Sequence, residues 1–89
     1  MQVEVLFFGR PRELAGTSRE VVAVEEGTRL KGLFESLSTR YGEAFANELR
    51  RIEGLIVFVN GRDYKTLGGL DALLSESDTV AILPVVTGG

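Results

Sequence analysis

Residues 55–64 read LIVFVNGRDY, five consecutive apolar residues followed by Asn60-Gly61. The run is β-branched and aromatic, which suits a strand, and Asn-Gly is the dipeptide best able to take positive φ twice, as a type I′ hairpin turn requires. A strand is therefore expected to turn straight back into a short partner strand. Downstream of Gly68-Gly69, "LDALL" reads as a single apolar turn, and "DTVAIL" from Asp78 to Leu83 as the last strand. Upstream, "EAFANELRRIE" at residues 43–53 reads as a helical segment with Phe45, Leu49 and Ile52 on one side.

Further toward the start lies the main helix. Leu30, Leu33, Phe34, Leu37 and Tyr41 recur at helical spacing, Thr28 is placed to cap the N-terminus, and Gly42 suits the left-handed position that closes the other end. Gly32 inside it costs about 1 kcal/mol relative to alanine. "QVEVLFF" from Gln2 to Phe8 is a first strand. "GRPREL" after it, with Gly9 and Pro11 as breakers, reads as a loop. "REVVAVEEG" from Arg19 to Gly27 reads as a second strand, antiparallel to the first across that wide loop. There are no repeats or low-complexity tracts. Two strands, a helix and three strands in 89 residues predict an α+β domain, a mixed five-stranded sheet packed on one main helix in the β-grasp arrangement. Residues 1–84 would form the domain and 85–89 a flexible tail.

Successive side chains of a strand point to opposite faces. Val3, Val5, Phe7, Val22, Val24, Leu55, Val57, Val59, Val80 and Ile82 share the parity expected to face the helix. Burying each is worth roughly 1.5–3 kcal/mol in transfer terms, enough core for a chain of this size. The opposite parity holds Leu6, Phe8, Ile56, Phe58, Ala81 and Leu83, whereas a solvated antiparallel face should be polar. Few helical residues are left to cover it, so either the second helix and loops fold over part of that face or another protein does; for the set, a docking surface is the favoured expectation.

Composition excludes much. Hydrophobic residues make up 44% and charged residues 26%, ordinary values for a folded domain, and the formal charge of −3 with scattered Lys and Arg argues against nucleic acid or an anionic membrane as partner. With neither Cys nor His, the chain offers no disulfide, no thiol chemistry, no zinc or haem site and no Ser-His-Asp triad. The start "MQVEVLFFGR" lacks the basic region and long apolar run of a signal peptide, and no stretch reaches the roughly 20 apolar residues of a membrane helix, so a cytoplasmic location is expected. "GRPRELAG" and "LGGLD" match neither a P-loop nor a dinucleotide fingerprint. Glu25-Glu26, Glu76 and Asp78 read as solvated turn carboxylates, and Arg10, Arg12, Arg50 and Arg51 as solvated charges. An enzyme in its own right is not expected, and no bound cofactor or metal is.

What remains distinctive is the terminus, "ILPVVTGG". An unselected Gly-Gly end is expected in well under about 1% of average chains, and in a percent or two of glycine-rich ones. Two residues without Cβ can thread a narrow channel and bring a carboxylate up to another protein's catalytic groups. Adenylation with ATP would give that carboxylate a leaving group, and sulfide, a thiol or a lysine amine could then attack. Gly89 is accordingly a substrate position, with Gly88, Thr87 and Val86 as the part of the tail that inserts.

The stretches "VLFFGRPRELAG" (5–16), "VNG" (59–61) and "DTVAILPVVTGG" (78–89), with the helix "TRLKGLFESLSTRYG" between them, resemble the ubiquitin-like sulfur-carrier family: the small subunit of molybdopterin synthase (MoaD), the thiamine-pathway carrier ThiS and the archaeal small modifier proteins. The first and last stretches point to the molybdopterin branch. The resemblance implies a β-grasp domain whose Gly89 is adenylated by a ubiquitin-activating-like enzyme that uses ATP and Mg, then converted to a thiocarboxylate. Its partner would be the molybdopterin synthase large subunit, into whose active site the tail inserts. Archaeal relatives join the same glycine to lysines of target proteins by an isopeptide bond. An apolar patch on the open sheet face contacts these partners in the family, and Phe8 and Leu83 match it by position; Leu6, Ile56 and Phe58 join them by parity. Two departures stand out: Val85 replaces a second proline common in molybdopterin-branch tails, and Asp63 puts a charge where an apolar side chain often extends the patch.

Overall fold

The computed structural model describes residues 1–51 and 55–84. Its sheet is built on the predicted hairpin. β3 (Leu55–Val59) and β4 (Arg62–Asp63) pair antiparallel around Asn60 (φ 52°) and Gly61 (φ 80°), both in the left-handed region that a type I′ turn requires. Asn60 does more than turn the chain. Its amide Nδ2 donates to Asp78 Oδ1 (2.8 Å), and its Oδ1 accepts the Thr79 N–H (2.9 Å), so the hairpin tip is pinned to the start of β5 (Thr79–Pro84).

β5 is central. It runs antiparallel to β3, with Val57 opposite Ile82, and parallel to β1 (Gln2–Phe7), with Phe7 opposite Ile82; β1 in turn pairs antiparallel with β2 (Arg19–Ala23). The order is β2-β1-β5-β3-β4, the mixed five-stranded sheet that the sequence predicts. β5 spans 79–84 rather than 78–83, since Asp78 serves the turn before it and Pro84 still pairs with Leu55.

The main helix, α2 (Leu30–Tyr41), lays Leu30, Leu33, Phe34 and Leu37 into the core against Val3, Val5, Phe7, Val22, Val57, Val59, Val80 and Ile82. Val24 packs at the edge of that core, partly buried, and the burial of Leu55 lies outside the described residues. α3 (Glu43–Arg50) buries Phe45 and Leu49, while Ile52 also lies outside the described residues. Phe7, Tyr41 and Phe45 pack edge-on or tilted with ring centroids 5.2–5.7 Å apart. The Tyr41 hydroxyl is enclosed there without a hydrogen-bond partner among the described residues, and its burial, together with the nearby Glu20 carboxylate, raises its pKa.

Four local expectations are corrected. "GRPRELA" is not a loop but a helix, α1 (Gly9–Ala15), because Pro11 is its third residue, where the missing N–H has no intrahelical acceptor to lose; Gly16 (φ 74°, ψ 11°) closes it by donating to Arg12 O (2.9 Å). Thr28 does not cap α2. Arg29 occupies that position without a side-chain bond, and Thr28 instead donates its hydroxyl to Glu25 O and accepts the Leu74 N–H (3.0 Å) on its carbonyl, closing the connection. Gly42 has the expected positive φ (94°), yet its ψ (−171°) is not that of a left-handed cap, since it serves two helices: it donates to Ser38 O (2.9 Å) and accepts from Ala46 N (3.0 Å). "LDALL" is no uniform apolar turn either. A 3₁₀ turn at Gly69–Asp71 leads into a segment with Ala72 and Leu74 buried and Leu70 and Leu73 exposed, held to the start of α2 by the Leu30 N–H donating to Ala72 O (2.9 Å).

Candidate functional site

With one parity of each strand committed to the core, the other is fixed on the far face of the sheet. Leu6, Ala81 and Phe58 stand in one row across β1, β5 and β3, and Leu83 faces Ile56 in the next row. Phe8, whose N–H donates to Ile82 O (3.1 Å), extends β1 by one residue beside Leu83. All six are at least partly exposed, and Phe8 is 44% exposed. α2 and α3 turn their buried residues to the core on the opposite side, and Leu14 and Ala15 of α1 pack against that same core.

The patch is not spread evenly. One step toward the other end of the sheet, Glu4 faces Thr79, and Glu4 is ion-paired with Arg19. The apolar half of the face is therefore the half that β5 reaches last, where the chain continues to the Gly-Gly end. Val21 (43% exposed) on β2 borders the polar half; it has the same parity as the patch through its pairing with Glu4, a signal present in the sequence. Asp63, opposite Phe58 at the β4 edge, has a local reason for being charged. Its carboxylate accepts the Lys65 N–H (3.0 Å) and so caps the 3₁₀ turn at Tyr64–Leu67.

Val86, Thr87, Gly88 and Gly89 lie outside the described residues, as does Val85. Their root does not. Pro84 pairs with Leu55, and its ring lies so close to Gly9 (φ 59°) that a Cβ on Gly9 would stand 2.5 Å from the proline Cγ and 2.9 Å from its Cδ. The close approach of a residue without a side chain thus brings the start of α1 against the last residue of β5. From Pro84, five residues can extend roughly 17 Å.

Of the other groups singled out in the sequence, several hold turns. Glu76 Oε2 accepts the Gln2 N–H (3.0 Å), and Asp78 takes the Asn60 amide on Oδ1 (2.8 Å) and the Ser75 N–H on Oδ2 (2.7 Å). Glu25 and Glu26 are exposed after β2. Asp71 is held below its ordinary pKa by the Lys31 ammonium 3.0 Å away, a hydrogen bond first and a charge attraction second. Among the described residues no three His, Cys, Asp or Glu side chains are grouped to hold a metal ion, and no helix is long and apolar enough to cross a membrane. A groove of about 470 Å³ between α2 and α3, lined by apolar Phe34, Leu49 and Leu70 and by charged Lys31, Glu35 and Arg50, lies on the helical side. What the described residues present is an apolar surface that runs to Pro84.

The ThiS family model matches residues 5–89. The chain is 28% identical over 88 residues to the human molybdopterin synthase sulfur carrier subunit, covering 99% of this chain and 94% of that protein. It is 32% identical over 90 residues to the molybdopterin synthase sulfur carrier subunit of Mycobacterium tuberculosis, covering 100% of this chain and 99% of that protein. Among solved structures, that of Urm1 from Trypanosoma brucei matches with a TM-score of 0.81 at 28% identity, over 99% of this chain and 95% of that one. The α+β reading is met: the fold is the ubiquitin-like β-grasp.

Proposed function

The chain belongs to the ThiS family, and on that footing we propose that it is a sulfur carrier loaded at the Gly89 carboxylate, serving as the small subunit of a molybdopterin synthase. The observation that carries this reading is the apolar sheet face running up to the tail root, where a catalytic partner can hold the domain while the tail reaches into it.

In the proposed reaction the Gly89 carboxylate oxygen attacks the α-phosphorus of ATP, an acyl–phosphate bond forms and pyrophosphate leaves. A ubiquitin-activating-like enzyme supplies the ATP and Mg; this chain holds no cofactor and supplies no catalytic group. Hydrosulfide, or a sulfur donor equivalent to it, then attacks the acyl carbon, AMP departs with its oxygen and a thiocarboxylate remains. Thr87, Gly88 and Val86 thread the partner's channel, and the large synthase subunit later takes the sulfur inside its own active site. The whole cycle belongs in the cytoplasm, with neither nucleic acid nor membrane as partner. Leu6, Phe8, Ile56, Phe58 and Leu83 form the face that docks, first on the activating enzyme and then on the synthase, so the two partners compete for one surface. Intact-mass measurement after incubation with the activating enzyme, ATP and a sulfur donor should show one oxygen replaced by sulfur. An unchanged mass with an enzyme active on its own carrier would sink the reading.

A second reading is favoured by the likeness to Urm1. Here the same activated Gly89 is joined to lysines of target proteins through an isopeptide bond. Lysine-linked tail remnants in cell protein, lost on deletion of Gly89, are its signature.

A further inference from the structure

An adenylated carboxylate accepts amines as well as sulfur nucleophiles, and the sequence has two lysines, Lys31 and Lys65. The structure treats them differently. Lys31 Nζ is engaged, ion-paired with Asp71 Oδ1 (3.0 Å). It is also remote from the tail. α2 ends at Tyr41 beside Phe7, at the end of the sheet where β5 finishes, and Lys31 lies about 15 Å back along the helix, on the side of the sheet away from the apolar face. The Met1 amine, which donates to Val24 O (2.7 Å), sits before β1, at the other end of the sheet from Pro84.

Lys65 differs on both counts. It is exposed, and its ammonium makes no ion pair or hydrogen bond among the described residues. Its base is fixed: Tyr64 before it is buried, its own N–H is held by Asp63 Oδ1 (3.0 Å), and the Thr66 hydroxyl donates to Asp63 O (2.8 Å). The register sets this turn beside the tail root. Asp63 and Ala81 both stand opposite Phe58, so β4 and β5 flank β3 about 10 Å apart and run the same way along it. Pro84 lies three residues beyond Ala81 and Lys65 two beyond Asp63, which puts their Cα atoms on the order of 10–15 Å apart. Five extended residues after Pro84 span up to roughly 17 Å, enough to close that gap before the length of the lysine side chain is added.

We propose that Lys65 is an internal acceptor for the activated tail: where no sulfur donor is present, its amine takes the Gly89 acyl group of the same chain and closes a ring over residues 65–89. The inference rests on the reading that Gly89 is adenylated. The lone pair of Lys65 Nζ attacks the Gly89 acyl carbon and a C–N bond forms. The acyl–phosphate C–O bond breaks, AMP leaves with that oxygen and the electron pair, and Nζ gives one proton to solvent. The product has no terminal carboxylate, so a chain closed in this way carries no sulfur. Attack within the chain prevails over attack by a second copy because a short flexible connection holds the two groups at an effective concentration of about millimolar.

The test incubates the chain with the activating enzyme and ATP but no sulfur donor, follows pyrophosphate release, and reads intact mass and tryptic fragments. The wild-type chain should lose the mass of one water, with an isopeptide bond mapped between Lys65 and Gly89 and a fractional yield unchanged by tenfold dilution of the chain. Lys65→Arg should lower that yield at least tenfold, and Lys31→Arg should stay within twofold of wild type. A water-soluble carbodiimide in place of enzyme and ATP gives a second readout. It should link Lys65 to Gly89 alongside Lys31 to Asp71, whose 3.0 Å ion pair serves as the internal control. Pyrophosphate release without ring closure, a bond at Lys31 or to a second copy, or a carbodiimide link between Lys31 and Asp71 with none at Lys65 overturns the internal acceptor and leaves the carrier reading intact. A chain from which no pyrophosphate is released overturns both.

Discussion

Val57 and Phe58 are neighbours on β3 with opposite duties, and truncating each in turn separates the core from the docking face. Val57 is fully buried opposite Ile82, whereas Phe58 lies partly exposed opposite Ala81. Val57→Ala removes two carbons at about 0.8 kcal/mol each. With the cavity left among packed neighbours the loss should reach about 2–3 kcal/mol. In a domain this small that corresponds to a fall in Tm of roughly 8–24 °C. Phe58→Ala strips a ring that is only partly buried, on the face away from the core, so a smaller loss of about 1–2 kcal/mol is expected. Its cost should appear elsewhere. A central aromatic anchor is worth about 2 kcal/mol or more at an interface, which is about thirtyfold in the KM for loading. Thermal denaturation and loading kinetics on both variants suffice. If Phe58→Ala destabilises the fold as much as Val57→Ala, or leaves KM unchanged, the assignment of the two faces is wrong.

Further outcomes follow from particular contacts. Asn60→Ala loses the bonds to Asp78 and Thr79 and puts an unfavourable φ on a residue with a Cβ, a loss of about 2–3 kcal/mol in urea unfolding, while Asn60→Gly, which tolerates that φ, should lose less. The folded-state pKa of Asp71 is depressed by Lys31, so the stabilisation of that exposed pair is present above the ordinary carboxylate pKa of 3.8 and fades as pH falls through the lower folded value. The urea midpoints of wild type and Lys31→Gln should therefore differ slightly at neutral pH and converge in acid, and a gap that persists there would count against the pair. Tyr41 has its pKa raised, by burial first and the Glu20 carboxylate second, and its hydroxyl has no hydrogen-bond partner among the described residues, so its protonated form favours the fold below about pH 10 and that contribution is lost as pH rises through the folded pKa. Tyr41→Phe should match or exceed wild-type stability by up to about 1–3 kcal/mol and should lose less stability in alkali, which pH-dependent thermal melts would show.

The sheet was legible because strand parity repeats every two residues and Asn60-Gly61 fixes a turn type; from these came both the core face and the apolar face, and the register bears the parity out. α1 was hidden for a physical reason. Gly9 and Pro11 break structure in most settings, and only their placement in the first turn, with Gly9 against Pro84, makes them part of a helix. Thr28 misled in the opposite way, since a hydroxyl suited to capping α2 found the carbonyl of Glu25 instead. Long-range contacts such as Asn60 with Asp78 and Thr79, and Gly9 with Pro84, depend on which strand ends meet, which local pattern does not encode.

The central claim is that the carboxylate of Gly89 is the group on which function turns, and the most direct measurement extends the chain by one alanine. Loading by the activating enzyme, read by intact mass with fragmentation to locate sulfur, should place one sulfur on Gly89 of the wild-type chain and none on the extended chain. The extended chain should still compete with wild type for docking, since the face of Leu6, Phe8, Ile56, Phe58 and Leu83 is unchanged. Sulfur on the added residue at the wild-type rate, or sulfur located anywhere but Gly89 in the wild-type chain, would contradict the account.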